Sequence, residues 1–298
     1  MKDILALIKR NTKLFFKDKG LFFTSMVTPL ILLLLYTTFL GKVYRDSLTM
    51  SIAQGIVISE SIIEGIVGGQ LFSSLLAVSC VTVAFCSNML MVQDKMSGAR
   101  NDLLLTPVKK GKMAIAYYFS TLISTLIVAV FALIACFIYL AIVGWYLSFM
   151  DILLLVLDIL LLTSFGTVLS SIINCFLSTQ GQISAVGTIV SAGYGFICGA
   201  YMPISTFSAG LQNAIAFLPG TYGTALMRTH ALSGAFEEML AEGVPLEAVE
   251  GIKSSVDCSV SFFGNTVSEP IMYLVLGGSV VLLIGVYILI HKLTIKKK

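Results

Sequence analysis

Asp158 stands in VLDILLLTSFGT, the one acid placed well inside an apolar run of this chain. An ionisable side chain in such surroundings marks either a functional site or a hydrogen bond to a neighbouring helix. A proton-driven carrier would need a chain of such groups, and along the sequence Asp158 is single. The two histidines, His230 and His291, are far apart and fall on opposite predicted faces. Five of the six cysteines, Cys80, Cys86, Cys136, Cys175 and Cys198, lie in apolar runs, where Cys behaves as a small apolar residue; only Cys258 lies in a polar outer segment. No disulfide partner shares its compartment, and no Cys/His spacing suits a metal. Gly111-Lys112 has the end of a phosphate loop, but Thr106 stands where the first glycine belongs and Met113 where Ser or Thr does, so it is no nucleotide site.

The elements around these residues are set by composition. The chain is 57% hydrophobic and 12% charged with mean hydropathy +0.96, against about 25% charged residues in ordinary soluble domains. It reads as an all-α integral membrane protein. Six runs reach the roughly 20 apolar residues a spanning helix needs: Leu21 to Leu40, Gly69 to Val92, Met113 to Ile142, Ile152 to Leu177, Ile183 to Met202 and Ile271 to Ile290. Barrel strands would be about half as long and would alternate in polarity. Met1 to Gly20 carries charges throughout, unlike a cleavable signal peptide.

Between the second and third runs lies a polar, basic segment, Asp94 to Lys112, reading DKMSGARNDLLLTPVKKGK. Lys and Arg accumulate on the cytoplasmic side of membrane proteins. With six spans and both termini inside, the inner segments hold fifteen Lys and Arg and the outer ones four: Lys42, Arg45, Arg228 and Lys253. The segment 93–112 is therefore expected in the cytoplasm, in a multi-pass protein of the cell membrane. The net charge of +3 reflects this orientation and points to no nucleic-acid partner.

Residues 1–20 read as a helix lying in the membrane interface. Ile4, Leu5, Ile8, Phe15 and Phe16 recur at helical spacing, and Lys9, Lys13 and Lys17 form a stripe on another side that suits lipid headgroups. The alternative is a basic anchor with no mechanical part. Gly41 to Gly68, with Lys42, Arg45, Asp46, Gln54, Glu60 and Glu64, is too polar to span and is expected on the outer surface, partly helical. The last outer segment, 203–269, divides in two. Pro203 to Arg228 is apolar but broken by Pro203, Gly210, Pro219, Gly220 and Gly223, the pattern of helices that enter the membrane and return; Arg228 is expected at the outer headgroup level. The rest is a cap whose acids outnumber its bases. Gly195 and Gly199 form a G-x-x-x-G that would permit close helix approach. No repeat appears, so residues 1–298 read as one domain.

Asp94-Lys95-Met96-Ser97-Gly98 followed by Leu103-Leu104-Leu105-Thr106-Pro107-Val108 resembles the cytoplasmic loop of type-2 permeases of ATP-binding cassette exporters. There, an acid–base pair, a glycine and a short helix ending in L-x-x-T-P-V form the coupling helix that meets the ATPase. Gly199 to Ser205, Leu211-Gln212, Leu218-Pro219, Thr221-Tyr222 and Arg228 resemble the family's pattern after span five, with Gly220 and Phe217-Leu218 departing from it. The resemblance implies ATPase-coupling roles for Asp94, Lys95, Gly98, Arg100, Leu104, Thr106 and Pro107, and an outer gate of Pro203, Pro219, Tyr222 and Arg228. It also implies a dimer with the same or a sister permease and two separate ATPase subunits that carry ATP and Mg; no cofactor would be bound by this chain. In place of the usual acidic stretch the loop carries Ala99-Arg100-Asn101-Asp102.

The absence of buried charge along the second and fifth spans argues for an apolar or amphipathic cargo such as a drug, lipid or peptide, moved outward. Two other classes remain at this level: an ion-coupled or passive carrier without ATPase subunits, and an integral membrane enzyme. The enzyme would gather His, Asp, Cys or Ser at one depth, and no such cluster is visible in the sequence.

Overall fold

The computed structural model describes residues 2–51 and 58–296. Gln54, Met1, Lys297 and Lys298, all read above, lie outside them. The described chain is almost entirely helical. In order the helices are α1 (Lys2–Lys17), α2 (Lys19–Leu35), α3 (Gly41–Ser51), α4 (Glu60–Met96), α5 (Ala99–Leu105), α6 (Lys110–Val143), α7 (Phe149–Phe176), α8 (Gln180–Ile197), α9 (Ala209–Ile215), α10 (Pro219–Ala241), α11 (Leu246–Ser255) and α12 (Glu269–Lys296). A two-stranded antiparallel hairpin, β1 (Val260–Phe262) and β2 (Asn265–Val267), interrupts the outer segment and was not foreseen.

Among the described residues five helical stretches are long and apolar enough to cross a membrane: Lys19–Asp46, Glu60–Met96, Lys110–Val143, Phe149–Phe176 and Glu269–Ile290. The expected fifth run is instead α8, an 18-residue helix that carries Gln180 and Gln182 and stops at Ile197.

Local chemistry explains where helices start. Asp18 breaks α1 from α2 and accepts the Leu21 N–H at 3.1 Å as its cap. Ser148 with Asp151, and Thr179 with Gln182, form reciprocal capping boxes at the starts of α7 and α8. The first span does not end where its sequence turns polar. A π-helical turn, Tyr36–Leu40, carries α2 into α3, where Arg45 pairs with Glu60 and Glu64. Outside the bilayer water replaces lipid, so polar residues can continue the helix.

The helix α4 is the centre of the bundle, buried along its whole spanning window. Helices α2, α6, α7, α8 and α10 surround it. Its interface is rich in small residues, including Gly69, Ser73, Ser74, Ala77, Ser79, Cys80 and Ala84. Helix α7 approaches closely at Gly166, where an added Cβ would meet Val81 Cα at 3.0 Å and the Cys80 carbonyl at 3.1 Å. Asn88 Nδ2 then donates across the same interface to Ser170 Oγ (3.1 Å) and Ser171 Oγ (2.9 Å). By contrast, α6 and α12 leave Phe131, Ile138, Leu274 and Val281 exposed, as lipid-facing helices do.

Several expectations change here. On α1 the lysine stripe is exposed, but the buried face is Leu7, Asn11 and Phe15, while Leu5 and Phe16 point outward. Gly195 and Gly199 do not join two helices: Gly195 faces the Tyr201 ring and Gly199 closes the end of α8. Gly220 and Gly223 break nothing, lying inside α10 against Tyr194 and Leu162.

Because both atoms facing Gly166 belong to backbone, they cannot move aside. Gly166→Ala should destabilise the purified protein by about 1–3 kcal/mol, read as a lower thermal unfolding midpoint. Gly285→Ala on α12, with open space around it, should change it little.

Candidate functional site

The loop 93–112 is built between the end of α4 and the start of α6. Ser97 closes α4, and Gly98 turns the chain with φ 83°, a left-handed conformation that glycine adopts without a Cβ penalty. The seven-residue α5 follows and ends at Thr106, whose Oγ1 donates to the Leu103 carbonyl at 2.6 Å. Pro107, exposed, prevents continuation.

Two of the residues expected at the ATPase contact face inward. Asp94 is buried at 4% exposure. It accepts a forked pair of bonds from Arg10 of α1 (2.7 and 3.0 Å) and one from the Tyr117 hydroxyl of α6 (2.5 Å). Lys95 donates to the carbonyls of Asn174 (2.9 Å), Cys175 (2.9 Å) and Leu177 (3.0 Å), at the C-terminal end of α7. Lys112 pairs with Asp3 at 2.9 Å. The loop is thus tied to α1, α6 and α7 at once.

The remaining loop residues divide by exposure. Leu104, with Leu103, packs half-buried on Met91, Met113 and Tyr117. Arg100 is half-buried. Fully exposed are Asn101, Asp102, Leu105, Thr106 and Pro107. Leu105 is 87% exposed, the apolar side chain of α5 that sequence alone did not distinguish from its neighbours. Arg10 and Tyr117 also went unnoticed: a lone Arg in a lysine-rich helix and a Tyr in an apolar run carry no local signal of a common partner.

A groove of about 1120 Å³ runs along one side of the bundle between α2 and α8, reaching α4 at Cys86, Met89 and Gln93. Its walls are mainly apolar, with Leu21, Val27, Ile31, Leu35 and Ile183 along it and Tyr201, Met202, Pro203 and Thr206 at one end.

The outer turn differs from its expected form. After Pro203 comes a single 3-10 turn, then α9, and Pro219 starts α10. Helix α10 runs on past Arg228 to Ala241. Tyr222 is buried, and its hydroxyl donates to the Ala216 carbonyl at 2.7 Å. Arg228 does not face outward: it is 1% exposed, donating to the Gly199 carbonyl (2.9 Å) and Ser74 Oγ (3.3 Å), with Asp257 Oδ2 at 3.5 Å. Asp257 in turn accepts the backbone N–H groups of Ile204 (2.6 Å) and Ser205 (3.3 Å). The cap therefore folds back and grips the turn after α8. Of the four expected gate residues, Pro203 borders the groove, whereas Arg228 lines a separate polar cavity of about 220 Å³ with Asp257, Gln212 and Thr221.

Asp158 is not solitary. It is wholly buried, and His230 of α10 and Tyr273 of α12 bond to it. Among the described residues no group of three or more His, Cys, Asp or Glu is arranged to hold a metal ion.

A multi-pass helical membrane domain, with a braced loop at one end of its central helix and an apolar groove along its flank, is the class these features define. The profile of the ABC-2 type transporter family matches residues 2–231, and the chain belongs to that family of ATP-binding cassette transporter membrane proteins. No curated protein and no solved structure matches the chain.

Arg10 and Tyr117 together satisfy both oxygens of the buried Asp94 side chain. Arg10→Leu should therefore destabilise the protein by about 2–3 kcal/mol and Tyr117→Phe by about 1 kcal/mol. Faster tryptic cleavage at Arg100 in both variants would accompany the loss, since the loop would no longer be held to α1 and α6.

Proposed function

We propose that the chain is the transmembrane subunit of an ATP-driven exporter, with ATP and Mg bound by two separate ATPase subunits. The observation that carries this reading is the loop 93–112. Its ends are braced by Arg10–Asp94–Tyr117 and by Lys95 on α7, while Leu105, Thr106 and Pro107 project from it. Force applied to the projecting face is passed to α1, α4, α6 and α7 together. Asp94, Lys95 and Gly98 then position the coupling helix, Arg100 and Leu104 shape its flanks, and Leu105 with Thr106 and Pro107 meets the partner.

The groove supports an apolar or amphipathic cargo, a drug, lipid or peptide, and a dimer in which α2 and α8 face a second permease subunit, the same or a sister. Helix α8 acts as the sixth span, completed by the return through Pro203. Pro219 and Tyr222 set the outer turn, and Arg228 with Asp257 links that turn to the cap, so all three act on the exit through the Pro203 segment. The exposed Lys9, Lys13 and Lys17 of α1 lie against inner-leaflet headgroups, with both termini in the cytoplasm.

Leu105→Asp should abolish co-purification of the ATPase and stimulated ATP turnover while leaving the permease inserted, because it alters only an exposed side chain. Unchanged association in this variant and in Pro107→Ala would refute the docking face. If Leu105→Asp retains the ATPase and a proton gradient alone drives cargo movement in vesicles, the carrier reading replaces this one.

Topology is read by cysteine labelling in intact cells. Cys258 is buried and should resist an impermeant reagent. Glu247→Cys, on the exposed face of α11, should react from outside and Ser97→Cys should not. The reverse pattern would overturn the orientation.

A further inference from the structure

A second polar cluster lies apart from both the loop and the groove. The His230 ring on α10 is 3% exposed and has a carboxylate opposite each nitrogen. Nδ1 lies 2.7 Å from Asp158 Oδ2 of α7, and Nε2 lies 3.0 Å from Glu269 Oε1 in the first turn of α12. The Tyr273 hydroxyl donates to the other oxygen, Asp158 Oδ1, at 2.8 Å.

A neutral imidazole has one N–H and one lone pair, and an ionised carboxylate only accepts. Two carboxylates facing the two ring nitrogens therefore need one proton more than a neutral ring supplies. The ring is the most basic member of the three, so it carries that proton. We infer that Asp158, His230 and Glu269 form a proton-binding site that ties α10 to α7 and α12.

The surroundings isolate the site. Asp151, two turns earlier on α7, is engaged by Ser233 and by the backbone N–H of Ser148 (2.8 Å). On the α4 side Cys80 interacts with the charge of Asp158 and not with the ring. Arg228, two residues before His230, points to Gly199, Ser74 and Asp257. The partners facing the ring are thus two acids and the Tyr273 hydroxyl. Burial pulls the pKa of His230 down, but the hydrogen bond and charge of Asp158, followed by those of Glu269, outweigh it and raise it above its ordinary value of 6.5.

The sign of the linkage follows. A group whose pKa is raised by folding contributes stability that is fully present below its unfolded value and is lost as pH rises through the folded one. Loss of the proton sets the Nε2 lone pair against the Glu269 carboxylate. Asp158 is enclosed, whereas the Glu269 side chain is 46% exposed and can turn to water. The contact between α10 and the start of α12 is therefore the one that loosens. On the orientation above, Glu269 opens to the outer face, so the proton exchanges with the outside. The site itself does not depend on the cargo or on the ATPase.

The test uses the full chain in lipid nanodiscs with ¹⁵N-labelled histidine. The protein has only two histidines, and His291→Gln assigns the remaining ring signals to His230. Both ring nitrogens of His230 should be protonated at pH 7 and should titrate above the ordinary imidazole range. In Glu269→Gln, which keeps the size of the side chain but removes its charge, proton affinity should fall by about tenfold, one pH unit. A neutral His230 ring at pH 7, or a titration unchanged in Glu269→Gln, would overturn the proposal; the first outcome needs no variant at position 230 or 269 to fold.

Discussion

Close backbone contact around α4 is the constraint on which the other features depend. In a bilayer, lipid chains are as apolar as leucine, so helices gain little from merely burying apolar side chains against each other. They gain instead from dense packing and from hydrogen bonds between helices. The α4 interface uses both, with Gly166 admitting the α7 backbone and Asn88 reaching Ser170 and Ser171. A helix held on every side moves only with its neighbours, and the loop 93–112 is attached to its end.

The two ends of the bundle are fastened by different chemistry. At the end that carries the loop 93–112, Arg10, Asp94 and Tyr117 join three helices around one carboxylate, and Lys95 closes the C-terminus of a fourth. At the other end Arg228 and Asp257 hold the turn after α8 to the cap. Both fastenings put an arginine beside a buried acid. Removing Arg10 would leave the buried Asp94 without its ion pair, and removing Asp257 would leave the buried Arg228 without its own; either loss costs more than the intact pair contributes.

Much of this was legible in the sequence, and what was hidden has a common cause. Long apolar runs and the LLLTPV ending located the central helices and the loop, because span length and a proline stop are local properties. The inward turn of Asp94 and Lys95 was not local: their partners lie 84 residues before and about 80 after them. Asp158 was read as single because its partners are 72 and 115 residues away on other helices. Arg228 and Cys258 were placed at the surface by their polar neighbours, and the cap then folded over them. Leu104 and Leu105 exchanged places for a simpler reason: a helix of seven residues is too short for apolar periodicity to fix its face.

The π-helical turn Tyr36–Leu40 has a meaning in terms of chain length. It holds one residue more than an α-helical turn would, in a helix that otherwise runs from Lys19 to Ser51. Each residue of an α-helix advances the face by about 100°, so this extra residue sets the phase of α3 relative to α2. With it, Tyr44 stacks on Tyr36 at 5.9 Å between ring centres and Arg45 faces Glu60 and Glu64. Losing a single residue here would leave a regular helix of good composition whose outer half faced the wrong way. The stretch is thus intolerant of deletions, a length constraint that its residue types alone do not reveal.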